Sequence, residues 1–427
     1  VNATGLSAAD LARRLLEGVR RVQEDLGWTG PCPAGIHDRF ADLVDSMGLV
    51  EFLLQTAEDC GTTPDAIESC VQRQFSTVWE LAQAMHAAGL VPRGTATPTP
   101  SAGYSEGVPP MAIGSWLGPV SVRLPSRVQS AAEIDAVLRR PAGWLEQRAG
   151  IQSRRLWGTE DPLAAAADAG REALERASVK PTAVGALLVT SEAPPLLLGL
   201  AAAMHHRLAL PAGAVALEVG GACTGFLAAL WLGRQLLAGV GTVLIIAVEA
   251  PSRILQFTPG APGEVAALFG DGVAACVLSG QTSSAAAVPL IDIALGADGS
   301  AGHLLTAETR AGSLSLQMDG QALAGRAVRV MADKSRVLLG QHSLTLAKVQ
   351  AVIAHGGNGR MPALLARKLG IPPEQVWSEA SRVGNLGAAT LPVAWAARGP
   401  APGPALWTAV GAGLTWASAL TGARSVP

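Results

Sequence analysis

The chain has 427 residues, 49% of them hydrophobic and 15% charged, with 49 glycines and a formal net charge of −2. That length buries a large core and divides into two or three domains. The composition excludes a disordered or fibrous chain, and the near-neutral charge excludes an overall basic field for nucleic acid. The balance is uneven: residues 1–92 hold 13 acidic against 6 basic side chains, a net of −7, and the remainder 21 against 26, a net of +5. Parts of opposite sign steer one another, screened by salt beyond about 8–10 Å.

The opening VNATGLSAADLARRLLEG lacks the apolar run of a signal peptide. Ser7 is placed to cap a helix from about Ala8 to Leu26, with Leu11, Leu15, Val19, Val22 and Leu26 on one face. The loop GWTGPCPAG follows, then a helix from about Ser46 with Leu49, Phe52 and Leu53 inward. A last helix starts near Thr77 and turns Val78, Leu81, Ala82 and Met85 inward. These elements predict an all-α four-helix bundle over residues 1–91. Residues 92–110, PRGTATPTPSAGYSEGVPP, carry five prolines and form a linker reaching about 25 Å.

From residue 111 the pattern alternates. VGALLVTS, AVALEVGG, TVLIIAVEA and VAACVLSG are apolar runs of strand length, separated by helical stretches such as DPLAAAADAGREALERA. This is the signature of an α/β sheet covered on both faces. Residues 219–248 are apolar enough to suggest a membrane span, but Arg234 and Gln235 interrupt them, and they read as turn, helix and buried strand. After about residue 288 the alternation recurs: a strand, a helix near 320–342, strand VQAVIAHGG, helix PALLARKLG, helix NLGAATLPVAWAAR and closing strands. The recurrence divides residues 111–427 into duplicated halves, about 111–287 and 288–427, with the loops VGGAC and AHGGN each following a strand.

Cysteines stand at 32, 60, 70, 223 and 276, with no CxxC pair and no Cys/His metal spacing. The pattern predicts reduced thiols, no metal and a cytoplasmic location. Cys223 follows Gly220 and Gly221, which permit a tight strand-to-helix turn. A helix beginning there presents unpaired N–H groups, which favour a thiolate. The other reading is a small buried hydrophobe, and Cys276 fits it. Partners for a reacting cysteine stand far along the chain: His355 after a strand, Asn385 before a helix, and Gly411 and Gly413 in a loop with N–H groups for an oxyanion.

Two resemblances follow. FADLVDSMGLVEFLL, with Asp45-Ser46-Met47 leading into a helix with Glu51 and Glu58, resembles an acyl carrier protein, although Leu43-Val44 stands where Gly-Leu is usual. The resemblance implies a 4′-phosphopantetheine arm on Ser46 and an acidic docking face for other synthase proteins; local physics alone reads Ser46 as a capping serine. WLEQRAGIQSRRL (144–156), GGACTGFLAAL (220–230), LFGDGVAACVL (268–278), AHGGNGRM (354–361), VGNLGAAT (383–390) and GAGLTWASAL (411–420) together resemble a ketoacyl-acyl carrier protein synthase III, of the thiolase superfamily. That resemblance implies a thiolase-like fold, usually a homodimer, and makes Cys223 the acyl-accepting nucleophile. His355 and Asn385 become the pair that holds a malonyl thioester carbonyl, and the backbone N–H groups of Cys223 and Ala412 the oxyanion hole. Trp144, Arg148 and Arg360 fall where the family contacts coenzyme A or the carrier arm; each also reads as a surface cation or packed indole.

Three departures stand out. Gly356-Gly357 replaces Gln-Ala beside the histidine, which predicts a wider wall. Leu386-Gly387 follows Asn385 where a small hydroxyl residue is common, and Ala412 replaces a glycine. The chemistry expected is acylation of Cys223 by an acyl-CoA or acyl-carrier thioester, then condensation with a malonyl-type extender. Plain acyl transfer to a thiol, alcohol or amine, and a silent didomain presenting its carrier, are the alternatives. Leucines in SEAPPLLLGLAAAMHHRL (191–208) argue for an apolar acyl group, and His205 and His206 there read as surface or interface residues.

Overall fold

The computed structural model describes residues 7–25, 33–39, 43, 52–53, 56–57, 60, 62, 77–90, 114–195, 198–282, 284–310 and 313–422. The chain divides into two compact units, Val1–Ser105 and Glu106–Pro427. Each has its own core.

In the first unit, α1 (Ala8–Asp25) starts under Ser7, whose Oγ accepts from the Asp10 N–H at 3.1 Å. Its Leu11, Leu15, Val19 and Val22 are buried with Phe52 and Leu53. The second described helix, α2 (Val78–Ala87), opens with a reciprocal cap between Thr77 and Glu80 and buries Val78, Leu81, Ala82 and Met85. Ser46, Leu49, Leu26 and the linker 92–110 lie outside the described residues.

The second unit is an α/β structure whose two halves repeat one plan. The first runs β1 Trp116–Leu117, α3 Trp144–Ala149, α4 Pro162–Arg176, β2 Ala186–Thr190, β3 Val215–Val219, α5 Gly225–Val240, β4 Thr242–Glu249 and β5 Gly272–Ser279. The second runs β6 Val288–Ala297, α6 Gly320–Gln341, β7 Ala351–Ala354, α7 Met361–Leu369, β8 Val376–Trp377, α8 Thr390–Arg398, β9 Ala405–Gly411 and β10 Thr415–Thr421. Strand order is β3-β2-β4-β5-β1 in one half and β8-β7-β9-β10-β6 in the other, joined where β1 pairs β6. Strand sense matches as well. β2 runs parallel to β3 and β4 and β4 antiparallel to β5, as β7 does to β8 and β9 and β9 to β10.

β2, β4 and β5 form from apolar runs covered on both faces, whereas β3, at the edge of the sheet, is largely exposed. Alternate residues Ala186, Leu188, Val243 and Ile245 face a central layer containing Phe226, Leu227 and Leu230 of α5 and Leu391 and Trp395 of α8. The intervening Leu187, Val189, Leu244 and Ile246 pack against Ala166, Ala169 and Ala173 of α4. Trp407 of β9 closes the central layer, its ring centroid 4.9 Å from that of Trp395 and 6.1 Å from that of Phe226. Small residues let the layers approach: a Cβ on Gly233 would stand 3.2 Å from Leu278 Cδ2. Residues 222–240, by length and composition alone, suffice to cross a membrane, yet one face of α5 packs in this central layer and Arg234 reaches Asp292 Oδ1 at 3.4 Å.

Asp271, in the turn before β5, ties three segments together. Its carboxylate accepts from the Trp157 N–H at 2.6 Å, the Ser252 N–H at 3.0 Å and the Ser252 hydroxyl. Burial pushes its pKa up and these donors pull it down. Asp271→Ala leaves those buried donors unpaired and is expected to lower the unfolding free energy by about 3 kcal/mol. Urea titration checks this, and a loss below about 1 kcal/mol, the worth of one ordinary hydrogen bond, would contradict it.

Candidate active site

The duplication brings six loops to the carboxyl ends of the parallel strands. Glu192 follows β2 and His355 follows its counterpart β7. Cys223 follows β3, and Asn385 comes after β8, its counterpart. Glu249 ends β4, and Gly411 ends β9. The sequence pattern paired the cysteine loop with the histidine loop; the topology instead pairs cysteine with asparagine, and histidine with Glu192. Cys223, His355, Asn385, Glu192 and Ala412 all line one cleft.

Cys223 owes its place to a sharp turn. Gly221 at φ 122° and Ala222 at φ 49° reverse the chain, a conformation costly for the alanine, and a short 3-10 turn through Ala222–Thr224 enters α5. Thr224 Oγ1 donates to Gly221 O at 2.6 Å and stands 3.0 Å from Thr415 Oγ1, fixing the turn to the start of β10. Gly411 presses against the same turn: a Cβ there would lie 2.7 Å from Gly221 O and 3.0 Å from the Cys223 nitrogen. Ala412 is not among the described residues with positive φ, so alanine is tolerated where glycine was expected.

The environment of the sulfur differs from the expected one. Cys223 is 6% exposed, and its Sγ–H donates to Glu192 Oε2 at 3.0 Å. Burial first, then the carboxyls of Glu192 and Glu249, push the thiol well above its ordinary pKa; the Asn385 amide pulls it down. The sequence predicted a depressed thiol; desolvation and two nearby carboxyls, groups that the local pattern did not show, raise it instead. Cys276, buried in β5 at 0% exposure, is pushed up by burial and packs as a hydrophobe.

Asn385 is held by its own turn. Its Oδ1 accepts from the Gly387 N–H at 3.0 Å and the Thr390 hydroxyl at 3.2 Å, which turns Nδ2 toward Cys223 Sγ at 4.0 Å. His355 is 4% exposed, with its backbone N–H donating to Thr408 O at 2.9 Å and no hydrogen bond at the ring Nδ1 among the described residues. Burial lowers its pKa to about 4, so the imidazole is neutral at neutral pH. The side chains thus include two uncharged donors, a thiol and a carboxyl.

The glutamates were missed in the sequence. Glu249 accepts from the Glu192 N–H at 2.9 Å, the Ala193 N–H at 2.8 Å and the Ala388 N–H at 2.9 Å, clamping the loops after β2 and before α8. Burial, then Glu192, raises its pKa to about 8. Burial likewise raises the pKa of Glu192, against the pull of the Cys223 hydrogen bond. Gly387 makes room for both: its φ is +51°, and a Cβ would stand 2.7 Å from Glu249 Oε1 and 3.1 Å from Glu192 Oε2. The available signal was an acidic residue closing or following each of two apolar strands, in IIAVEA and LLVTSEA.

The walls of the cleft are apolar, with Leu268, Phe269, Leu305, Met318, Leu323 and Met361 among them. Glu192 and Phe269 also border a second recess lined by Ile254, Leu255, Leu314 and Leu316. Among the described residues of 191–208, Glu192 and Ala193 contribute to these linings; Leu200 is in the core, Leu198 is 84% exposed, and Leu196 and Leu197 lie outside the described residues. His205 is half-buried against Pro211 O at 2.9 Å and His206 is exposed. The wall beside His355 is not widened at Gly356, where Ser378 Oγ and Ala380 Cβ stand 2.6 and 2.9 Å from a Cβ position. Trp144 and Arg148 lie on α3, and Arg360 caps α7 and donates to Gln147 O at 2.8 Å. None of these three lines the cleft; Trp144 is half-buried under the Arg140 guanidinium at 5.5 Å, and Arg148 is exposed. Among the described residues no group of three or more His, Cys, Asp or Glu is placed to hold a metal.

Comparison with known proteins places this geometry. The family profile 3-oxoacyl-[acyl-carrier-protein (ACP)] synthase III matches residues 217–318, and the profile of its C-terminal part matches residues 339–422. A 3-oxopimeloyl-[acyl-carrier-protein] synthase of Rhodothermus marinus is 37% identical over 321 residues, 70% of this chain and 91% of its own length. A beta-ketoacyl-[acyl-carrier-protein] synthase III of Rubrobacter xylanophilus is 31% identical over 72% of this chain and 98% of its own. Among solved structures, the 3-oxoacyl-[acyl-carrier-protein] synthase III of Aquifex aeolicus superposes with a TM-score of 0.66 at 27% identity, covering 72% of this chain and 100% of that one. The priming beta-ketosynthase of the R1128 polyketide pathway does so with a TM-score of 0.66 at 26% identity, covering 73% and 97%. With the thiolase-like α/β fold and the relatives in agreement, the chain belongs to the 3-oxoacyl-[acyl-carrier-protein] synthase III family of condensing enzymes.

Proposed function

We propose that the second unit loads an acyl group on Cys223 and condenses it, with loss of CO₂, with a malonyl thioester on a carrier protein, in fatty-acyl or polyketide biosynthesis in the cytoplasm. The observation that carries this reading is the convergence of Cys223, His355 and Asn385 on one apolar-walled cleft, with the Asn385 amide turned toward the sulfur. Acyl transfer alone needs the cysteine and a base; two uncharged donors beside it suit an enolate.

In the first step, Cys223 Sγ attacks the carbonyl carbon of an acyl-CoA or acyl-carrier thioester. The backbone N–H groups of Cys223 and Ala412 meet the oxyanion, and the C–S bond to the leaving thiol breaks. In the second, the malonyl thioester carbonyl accepts hydrogen bonds from His355 and Asn385 as the bond to CO₂ breaks. The enolate carbon attacks the acyl carbonyl, and the Cys223 sulfur leaves and regains a proton. A neutral imidazole suits this role because it donates an N–H without holding the malonyl carboxylate as a counter-ion. The recess lined by Ile254, Leu255, Leu314 and Leu316 supports an apolar acyl tail. Trp144, Arg148 and Arg360 are proposed to receive the coenzyme A or carrier arm.

The first unit is proposed as a carrier, with 4′-phosphopantetheine on Ser46, serving its own synthase unit and other synthase proteins. The support is the Asp45-Ser46-Met47 sequence and the net charge of −7 over residues 1–92. A homodimer is proposed through β3, an edge strand of the sheet with Val215 and Leu217 39% and 40% exposed. A second reading, transfer of an unchanged acyl group to an alcohol or amine, is favoured by one observation: the Glu192 carboxyl at the sulfur can serve such an acceptor as a base.

Intact mass of the phosphopantetheinylated chain after exposure to acyl-CoA and malonyl-CoA separates these readings. Condensation gives a β-ketoacyl adduct and CO₂, whereas an unchanged acyl group on the acceptor supports the second. Cys223→Ala is expected to take no acyl group, and Ser46→Ala to keep Cys223 acylation while losing the carrier-bound product. Acylation of Cys223 by no member of a thioester panel would leave a silent carrier-presenting didomain.

His355→Ala and Asn385→Ala are each expected to slow condensation by about 10²-fold or more while Cys223 acylation falls far less. Single-turnover acylation measured beside steady-state turnover makes the comparison, and equal losses in both would refute the assignment. Light scattering should give a mass of two chains, with Leu217→Asp shifting it toward one; a wild-type mass of one chain rejects the dimer.

A further inference from the structure

We propose that Glu192 is a catalytic residue of this site: it accepts the Cys223 thiol proton as the sulfur attacks, and returns a proton to the sulfur when the second step releases it. The proposal rests on the acylation of Cys223 proposed above and adds the proton acceptor which that step lacks. His355 Nδ1 has no hydrogen bond among the described residues and the imidazole is held by burial, while the group in contact with the reacting sulfur is Glu192 Oε2 at 3.0 Å.

The construction around Glu192 supports a working carboxyl and not a surface acid turned inward. Its backbone N–H is bound by Glu249, which fixes the loop that carries it. Gly387 lacks the side chain that would stand 3.1 Å from its Oε2, so the chain leaves space for that carboxyl. Glu192 lines both the cleft that holds Cys223 and the adjoining apolar recess. The titratable groups facing it are Cys223 on the turn after β3, Glu249 at the end of β4 and His355 across the cleft after β7.

The proton balance closes without another reagent. Glu192 carboxylate takes H⁺ from Cys223 Sγ as the S–C bond to the acyl group forms. The departing thiolate of coenzyme A or the carrier takes that proton as its own C–S bond breaks, leaving Glu192 ionised. After decarboxylation and C–C bond formation the Cys223 thiolate accepts a proton relayed from water through Glu192, matching the proton that the overall condensation consumes. Within the pair, transfer moves one negative charge from oxygen to sulfur and creates none. The α5 terminus and the Asn385 Nδ2 at 4.0 Å favour the charge on sulfur during attack. A thiol raised by burial makes such a partner necessary at neutral pH.

The test uses the full chain as wild type, Glu192→Gln and Glu192→Asp. Two rates are followed by intact mass across neutral and alkaline pH: acylation of Cys223 by an acyl-CoA, and its alkylation by iodoacetamide. Wild type is expected to react at a rate nearly level through neutral pH. Glu192→Gln is expected to be about 10²-fold slower there in both reactions, its rate then rising tenfold per pH unit as hydroxide replaces the lost base. Glu192→Asp keeps a carboxyl and is expected to restore a level profile, which a merely structural role of Glu192 would not produce. A Gln variant as fast as or faster than wild type at neutral pH overturns the proposal, and so does an Asp variant with the steep profile. Alkylation needs no acyl substrate: a wild type that accepts no acyl group refutes the acylation of Cys223, while the iodoacetamide arm still decides the role of Glu192.

Discussion

The buried carboxyl group of Glu249 is the constraint on which the cleft depends. It ends a β-strand that is apolar on both faces, where an unpaired acid would carry a heavy desolvation penalty. It escapes much of that penalty by accepting backbone N–H groups from two loops belonging to different halves, at Glu192 and Ala193 and at Ala388. Those loops carry Glu192 to the sulfur and hold the turn that presents Asn385. Gly387 is the complementary requirement, since any Cβ there would meet the carboxyl.

Duplication explains how so few residues assemble a site from distant segments. Each half delivers loops at the carboxyl ends of equivalent strands, and the central helices α5 and α8 start at the equivalent turns. The halves have diverged in chemistry while keeping geometry: one contributes thiol and carboxyl, the other imidazole and carboxamide. A thiol with a carboxyl against it therefore lines a shared cleft with a neutral imidazole and a carboxamide. The aromatic contact of Phe226, Trp395 and Trp407 locks the two central helices against β9, so the loops they support are set on rigid elements.

Much of this was legible in the chain. Apolar runs of five to eight residues predicted strands such as Ala186–Thr190 and Thr242–Glu249 because burial on both faces removes the alternation seen in half-exposed sheets. The spacing of Leu11, Leu15, Val19 and Val22 and of Val78, Leu81, Ala82 and Met85 marked helix faces that are buried. Cys223, His355, Asn385 and Ala412 were found by the loops they occupy, and all four line the cleft. Glu192 and Glu249 were not found, because an acid at a strand end ordinarily reads as the point where a strand meets water. Of the leucines in 191–208, Leu200 and Leu208 are buried in the core and Leu198 is exposed; apolar composition does not distinguish a tunnel from a core.

The sequence by itself determined the alternation of strands and helices, the turn that holds Cys223 and the presence of a second half, because each is a local matter of periodicity and backbone freedom. Tertiary structure alone decided which loops face one another, that the thiol is raised and not depressed, and that a carboxyl lies against it. Those properties depend on distances between groups tens to hundreds of residues apart, such as the 3.0 Å between Cys223 and Glu192. Electrostatics in a buried cleft is set by such distances and by the water they exclude, and neither is written in local pattern.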